Sequence, residues 1–253
     1  MTSPLSPNFS PSVLPLLSQS GPRLASVSEL QSTPFQAFMR ECNAFAAKHD
    51  LRQFTNWSKV WEYPWLHYHG LDRIDWRGQR VLDFGSEISP MPWLLASQGA
   101  EVTLIETDSQ WTPRWEKLRA ELRVNVQWKL VSGETLPIAD ASIDIVTSFS
   151  VIEHQPDKVK AASEIARVLK SGSPLFISFD ICEPDLGMTF PDWNGRAMTM
   201  AEFESELWRH PAFNNPATPI VWNLDDIPAF RAWHLQSAPH HNYITGAAVM
   251  IKK

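Results

Sequence analysis

The sequence predicts an α/β domain built on a mostly parallel sheet of seven strands, with helices on both faces. Strand-like apolar runs alternate with helical patterns along the chain, as expected when parallel strands are joined by helical crossovers. Residues 80–90 are the clearest unit, because strand-forming residues end in Asp83, Gly85 and small polar residues before a helix-like run begins. The length of 253 residues suits one main domain of this class.

The N-terminal part is predicted in two segments. Residues 1–32 begin rich in Ser and Pro, and we expect either a disordered arm or an arm that closes over a bound ligand. Residues 33–79 carry a helical apolar stripe followed by a cluster of aromatic residues that includes Trp57, Trp61 and Tyr63. These aromatic residues suit either the wall of a pocket or simple cover of the sheet edge.

The later elements follow from apolar runs and helical spacing. After the first strand, further strands are predicted at residues 101–106, 125–131, 143–149 and 174–182, with helices at 109–122 and 158–170. Beyond residue 182 we expect helices at 200–209 and 225–236, a sixth strand at 217–222 and a final antiparallel strand at 242–251. Residues 80–182 would form the ligand-binding core, and residues 183–253 an insertion followed by the last strands.

Composition limits the classes of partner. The formal net charge is -6, which argues against a surface that collects nucleic-acid phosphates or anionic lipids. The two cysteines, Cys42 and Cys182, form no disulfide framework and suit a reducing, cytoplasmic environment. The apolar run near the start is short and interrupted by Pro, so neither a signal peptide nor a membrane span is expected.

Several motifs together resemble the class I S-adenosylmethionine (SAM) methyltransferases. Asp83-Phe-Gly85 follows the first strand, and the second strand closes on the carboxylate of Glu106. Val131-Ser-Gly-Glu-Thr-Leu-Pro, Val151-Ile-Glu-His and Glu164-Ile-Ala-Arg-Val-Leu-Lys-Ser-Gly then follow in the family's order and spacing. The resemblance covers residues 80–182, and it implies a Rossmann-like fold with SAM as the cofactor. It also implies that residues 33–79 form a helical aromatic lid over the cofactor and substrate.

The resemblance also implies a set of cofactor-binding residues. The turn with Asp83, Gly85, Ser86 and Glu87 would hold the amino-acid end of SAM, and the end of the second strand, at Glu106 and Thr107, would hold its ribose hydroxyls. Ser132, Gly133 and Glu134 would lie by the adenine, and Phe149 and Ser150 would line the other side of the cofactor. Two positions depart from the family pattern. Glu87 stands where a Gly is usual and could repel the cofactor carboxylate, and Ser132 stands where an acid usually faces the adenine.

The resemblance also implies residues on the acceptor side of the cofactor. They lie in the N-terminal aromatic segment, after the fourth strand, near the end of the fifth strand and in the last segments. Glu153 and His154 are candidate catalytic residues, with His154 as a general base. A quinone-type branch of the family has Glu-x-x-Glu-His here and binds a divalent metal, but this chain lacks the first Glu, so no metal site is predicted. A structural loop histidine is the alternative. Candidate substrate-binding residues are Trp57, Trp61, Tyr63, Asp180, His240 and His241.

The function implied is SAM-dependent methylation of a hydroxyl on a small molecule or glycan. Methyl transfer needs no nucleophilic side chain, since the protein positions the reactants and removes a proton where the acceptor carries one. The alternatives are an N-methyltransferase, a peptide or protein methyltransferase, and a binding subunit that keeps the fold without turnover. The expected partner is the acceptor alone, without nucleic acid or membrane.

Overall fold

A single sheet organises this computed structural model, which describes residues 21–55, 58–133, 135–192, 195–237 and 241–253. Within those ranges the sheet has seven strands, in the order β1-β7-β6-β5-β2-β3-β4. They are β1 (Arg23–Leu24), β2 (Arg80–Phe84), β3 (Glu101–Glu106), β4 (Val126–Leu130), β5 (Ile145–Phe149), β6 (Pro174–Ile181) and β7 (Ile244–Ile251). Strands β4, β3, β2, β5 and β6 are mutually parallel, whereas β7 is antiparallel to both β6 and β1. The predicted fold class is therefore confirmed.

Helices connect the strands and pack on the sheet. They are α1 (Val27–Leu30), α2 (Thr33–Lys48), α3 (Lys59–Tyr68), α4 (Met91–Ser97), α5 (Thr112–Leu122), α6 (Lys158–Val168), α7 (Met200–Glu202) and α8 (Ile227–Ser237). Helix α3 packs against β6 and β7, and α4 packs against β3. In the part of the chain that the structure describes, no helix combines the length and the apolar character that crossing a membrane requires.

The strand at the edge of the sheet beside β7 differs from the predicted sixth strand. The sequence predicts a sixth strand at residues 217–222, but the structure has no strand there, and the side chain of Val221 is 92% exposed. Pro216 and Pro219 interrupt this segment, and proline has no N–H to donate to a strand ladder. Strand β1 takes the edge position instead, with Arg23 paired to Ala247 of β7.

The same pairing corrects the N-terminal boundary. An arm is predicted for residues 1–32, yet residues 21–32 contain β1 and α1, and Leu24 is fully buried. Ser26 caps α1, because its hydroxyl accepts the N–H of Glu29. Residues 1–20 lie outside the described residues.

Strand order places one crevice at the centre of the sheet. Strand β2 pairs with β3 on one side and with β5 on the other, so the connections leaving these strands run in opposite directions. Asp83 is the register partner of both Leu104 and Thr147. In open parallel sheets, ligands bind at such a switch point, outside the carboxyl ends of the strands.

Candidate active site

A cavity of about 840 Å³ lies at this switch point. Its wall includes residues that follow three neighbouring strands: Gly85 after β2, Thr107 after β3 and Ser150 after β5. Asp180, near the end of β6, and Tyr243, just before β7, complete the wall on the other side. The volume falls within the range of roughly 300 to 1,000 Å³ that small-molecule sites occupy.

The turn after β2 requires glycine at position 85. Gly85 has a φ of 80°, in the left-handed region, and a Cβ built on it would lie 2.4 Å from Cγ2 of Val151. A larger residue would therefore strain the backbone and push the loop after β5 out of place. The turn and that loop form two touching walls of the cavity.

Two residues other than glycine also hold left-handed backbone at this cavity. Glu87 has a φ of 43° and Ser150 a φ of 53°, and both line the cavity wall. Each is held by neighbouring contacts: the N–H of Glu87 donates to Glu106, and the N–H of Ser150 donates to the hydroxyl of Ser178. Sparsely populated backbone conformations persist where the surroundings fix them, and they concentrate at functional sites.

Asp83 is a buried carboxyl at the base of the cavity. The hydroxyl of Thr147, on β5, donates to its Oδ1 at 2.6 Å, and the hydroxyl of Ser86 donates to its backbone carbonyl at 3.1 Å. Burial raises the pKa of Asp83 to about 6, although the hydroxyl contacts of Thr147 and Ser86 oppose the shift. Asp83 thus ties β2 to β5 beneath the binding surface.

Glu106 is oriented by two backbone groups at the end of β3. The N–H of Thr107 donates to Oε1 at 2.7 Å, and the N–H of Glu87 donates to Oε2 at 3.1 Å. A carboxylate has about four acceptor positions. Each oxygen of Glu106 therefore retains capacity for a further donor, such as a ligand hydroxyl.

Glu87, the departure from the family pattern, is paired with a cation. Its Oε2 lies 2.7 Å from Nη1 of Arg52, and both side chains are about half exposed. The main chain is joined as well, because the N–H of Arg52 donates to the carbonyl of Ile88 at 3.2 Å. Arg52 therefore offsets the charge that the sequence suggested would repel a cofactor carboxylate.

A buried ionic cluster forms the opposite wall. Glu62 of α3 is fully buried and accepts from Lys59 Nζ at 2.9 Å, Ser178 Oγ at 2.6 Å and Ser150 Oγ at 2.8 Å. Burial alone would raise the pKa of Glu62, but Lys59 and the Ser178 hydroxyl bring it below its ordinary value. Glu62 is therefore ionised, and it fixes α3 to the ends of β5 and β6.

Asp180 and Glu153 lie beside this cluster. Asp180 accepts from the hydroxyl of its register partner Thr245 at 2.8 Å, and burial followed by the charge of Glu62 raises its pKa. Glu153 is completely buried, and among the described residues no N–H or O–H donor reaches either of its carboxyl oxygens. Burial first, and then the charge of Asp180, raises the pKa of Glu153 well above its usual range.

The turn that carries Glu153 is held by a buried lysine. Nζ of Lys158 donates to the carbonyl of Glu153 at 3.1 Å and to that of Gln155 at 3.2 Å. Gly195 packs against the other side of the turn, since a Cβ there would lie 2.7 Å from Cα of His154. These contacts leave the Glu153 carboxyl little freedom to move away from Asp180.

Comparison with known proteins identifies the family. Residues 82–177 match the model of the Methyltransferase domain family, and this range contains the turn after β2, Glu106 and the loop after β5. Residues 82–177 therefore form a methyltransferase domain of the class I, SAM-dependent type. Members of this family use SAM as the methyl donor, so the predicted family and cofactor are confirmed.

Curated relatives of this methyltransferase resemble it over part of its length. It is 27% identical over 146 residues to a ubiquinone biosynthesis O-methyltransferase from Paraburkholderia phymatum, covering 53% of this chain and 63% of the relative. It is 34% identical over 107 residues to the protein of the same name from Xanthomonas oryzae, covering 42% of this chain and 45% of the relative. The chain thus spans less than two thirds of either relative.

A solved structure resembles the methyltransferase over most of its length. The geranyl diphosphate C-methyltransferase from Streptomyces coelicolor, solved with Mg2+, geranyl diphosphate and S-adenosylhomocysteine, superposes with a TM-score of 0.61. The superposition covers 88% of this chain and 99% of that one, at 13% sequence identity. At this identity the likeness supports the fold alone.

Most of the predicted site residues of the methyltransferase lie on the cavity wall. Those predicted for the cofactor are Asp83, Gly85, Ser86, Glu87, Glu106, Thr107, Gly133, Phe149 and Ser150, and those predicted for catalysis or the acceptor are Tyr63, His154 and Asp180. His154 is exposed, whereas Asp180 is buried. Trp57, Glu134 and His240, which carry further predictions, lie outside the described residues.

Four predicted residues do not line the cavity. Trp61 is fully buried, stacks on Trp65 and donates its indole N–H to Glu29 at 2.7 Å, so it belongs to the core rather than to a substrate pocket. His241 stacks on Tyr243 behind the wall, at 5.6 Å between ring centroids. Ser132 is exposed beside the cavity, and Glu153 is buried behind its wall.

Sequence reasoning missed four residues that shape the site. Arg52, Lys59 and Tyr243 line the cavity, and Glu62 holds its acidic wall. The spacing of Lys59 and Glu62 is that of an ordinary exposed ion pair on a helix, so the sequence gives no indication that the pair is buried. A carboxylate inside the aromatic run 61–65 was the available signal, because Glu is rarely fully buried without partners.

The cavity fits SAM. Glu106 keeps acceptor capacity for ribose hydroxyls, and Gly85 allows close approach of a ligand to the backbone. The described lining also carries more carboxylates than cations, which suits a sulfonium ligand. Within the described ranges, no group of three or more His, Cys, Asp and Glu side chains is arranged to hold a metal ion.

Proposed function

We propose that this protein transfers the methyl group of SAM to a hydroxyl of a small molecule or a glycan. The observation that carries the proposal is that Glu106 and the buried Asp180 both line the same cavity, from strands on either side of β2 and β5. Such a cavity brings a nucleotide-like ligand and a second small molecule within reach of each other. The names of the curated relatives, both O-methyltransferases, support a hydroxyl as the acceptor.

The cofactor half of the cavity would bind SAM and orient it. Glu106 would accept the ribose hydroxyls, Gly85 and Ser86 would contact the amino-acid end, and Gly133 would border the adenine. When bound, SAM supplies a methyl group on a positively charged sulfur. The carboxylates that line the cavity outnumber the cations. The carboxylates are Asp83, Glu87, Glu106, Asp157, Glu164 and Asp180, and the cations are Arg52 and Lys59. This negative surface favours the charged donor over its uncharged thioether product.

The acceptor half combines aromatic surface with buried polar groups. The rings of Tyr63 and Phe149 meet edge to face at 4.9 Å between centroids, and Tyr63 is fixed by a hydrogen bond of 2.7 Å to the hydroxyl of Ser89. Rigid aromatic walls hold an acceptor in line with the transferred carbon and keep water away from it, which lowers the entropic cost of reaching the transition state.

An amine acceptor is the second candidate. The excess of carboxylates that favours SAM also favours a cationic ammonium group, and an amine loses its proton readily near neutral pH once it is desolvated. A phosphorylated or carboxylated acceptor is disfavoured by the same charges, because Glu62 occupies Lys59 and Glu87 occupies Arg52.

The test is turnover with labelled SAM. Purified protein is incubated with methyl-labelled SAM and two matched panels, one of hydroxyl compounds and one of the corresponding amines, and labelled product and S-adenosylhomocysteine are quantified together. The proposal expects labelled hydroxyl products in stoichiometric amounts with S-adenosylhomocysteine. Labelled amines alone would establish the second candidate, and SAM binding without any labelled product would favour a binding subunit.

A further inference from the structure

We propose that Asp180 is the base that removes the proton from the acceptor hydroxyl, and that Glu153 shares this proton as a positioning residue. The inference rests on the proposed methyl transfer to a hydroxyl. It differs from the sequence-based expectation, in which His154 takes the proton, because His154 is exposed whereas the two carboxyls are enclosed.

Asp180 stands where acceptor and protein meet. It lines the cavity, near the end of β6 and opposite the Glu106 wall, and its side chain is almost completely buried. The hydroxyl of Thr245 fixes Oδ1, so the carboxyl group has a defined orientation. A general base must be within hydrogen-bond reach of the proton that it removes, and a wall residue with a fixed carboxyl meets this requirement.

Glu153 is an acid that carries its own proton. No donor in the described part of the chain reaches its carboxyl oxygens, and the group is fully buried. An ionised carboxylate in that position would lack any compensation for its desolvation, so the protonated form is favoured. Its proton has Asp180 as the neighbouring acceptor, and two adjoining buried carboxyls hold one proton between them more readily than none.

The surrounding groups direct the incoming proton to this pair. The charged and titratable groups near Asp180 come from three sides. They are Lys59 and Glu62 from α3, Glu153 from the turn after β5, and Tyr243, with His241 and His234 behind it, from the β7 side. Glu62 is held ionised by Lys59 and two serine hydroxyls. Burial and the nearby carboxylates raise the pKa of Tyr243, which remains a hydrogen-bond donor.

The step balances without a further reactant. The O–H bond of the acceptor breaks and its proton goes to the Asp180 carboxylate. The electron pair left on oxygen forms the new bond to the methyl carbon, while the carbon–sulfur bond breaks and its electron pair remains on sulfur. The negative charge that Asp180 loses and the positive charge that the sulfonium loses disappear in the same step, so the net charge of the site is unchanged.

The identity of the base limits the kind of hydroxyl that can serve as the acceptor. A carboxylate is a weak base even when burial strengthens it, and proton transfer is efficient only when the two pKa values are not far apart. A phenol has a pKa of about 10, whereas the pKa of a simple alcohol, like that of water, lies far above this value. The structure therefore favours a phenolic hydroxyl over an aliphatic glycan hydroxyl.

Turnover of variants tests the two roles. Asp180→Asn should lower kcat for a phenolic acceptor by about 100- to 10,000-fold, while SAM binding stays near wild type. Glu153→Gln should retain part of the activity but move the acidic limb of the pH–kcat profile to lower pH, because the amide donates to Asp180 without releasing a proton. The matched control is Asp185→Asn, an exposed aspartate just beyond β6, which should behave like wild type. Wild-type kcat and an unshifted profile in both site variants would overturn the proposal.

A second measurement does not depend on turnover. Raised carboxyl pKa values mean that the folded protein binds more protons than the unfolded chain above about pH 4, so stability falls as pH rises towards neutrality. Melting temperatures of the ligand-free protein across this interval should show that loss in wild type and in Asp185→Asn, and a smaller loss in Asp180→Asn and Glu153→Gln. Equal slopes in all four proteins would contradict a shared proton. If wild type methylates no hydroxyl but the slopes differ, the proposed function fails while the proton pair stands.

Discussion

Removal of the Glu106 carboxylate should weaken SAM binding by about two orders of magnitude. The side chain is already oriented, because backbone N–H groups of Thr107 and Glu87 each donate to one of its oxygens. A hydrogen bond to an ionised acceptor contributes roughly 1.5 to 3 kcal/mol. Since Glu106 is partly exposed, the lower value applies to each of two ribose hydroxyls, which gives about 3 kcal/mol, or about a 150-fold rise in Kd.

Calorimetric titration of SAM into Glu106→Ala and wild type measures this effect. Glu101→Ala is the matched control, because Glu101 lies at the exposed opposite end of the same strand. Glu106→Gln should also bind weakly, since one backbone N–H would then face an amide N–H2 rather than an acceptor. Melting curves recorded beforehand confirm that each variant is folded. An unchanged Kd for Glu106→Ala would refute the ribose role and the assignment of this wall to the cofactor.

Three further predictions follow from the same contacts. Asp83→Asn keeps the acceptor for Thr147 but removes a buried carboxyl whose pKa is raised to about 6. Denaturant unfolding at pH 7 should therefore show up to about 3 kcal/mol of added stability, and unfolding at pH 4 almost none. Equal gains at both pH values would contradict this prediction. Glu87→Gly should relieve a left-handed φ and leave stability within about 1 kcal/mol, since its partially exposed pair with Arg52 contributes little, and a large loss in urea unfolding would show the pair to be structural. If residues 52–65 act as a lid, their hydrogen exchange should slow when S-adenosylhomocysteine and acceptor are added, and no change would leave this segment as static cover.

Most of the sheet could be predicted from the sequence because its strands are read locally. A buried parallel strand is a short apolar run between turn residues, and β2, β3, β5 and β6 all fit that description. The edge strand β1 could not be predicted in this way. Arg23–Leu24 is too short to carry a pattern, and its pairing with Ala247 across the whole chain depends on tertiary packing.

The proposed cofactor wall was equally accessible to sequence reasoning, since Gly85 directly follows β2 and Glu106 ends β3, and both strand ends could be predicted from local sequence. The acceptor wall was not. Glu62 comes from a helix that precedes the parallel strands in the sequence, and it meets Ser150 and Ser178 only after folding. Burial also reversed one expectation, because Glu153, a candidate catalytic residue, is completely buried and does not line the cavity.

A crystal structure with S-adenosylhomocysteine and a phenolic acceptor tests the central claim most directly. The account predicts that the ribose hydroxyls contact Glu106 and that the acceptor oxygen lies within hydrogen-bond distance of the Asp180 carboxyl, between Tyr63 and Tyr243. An acceptor oxygen facing His154 instead, or a cofactor whose ribose lies away from Glu106, would contradict it.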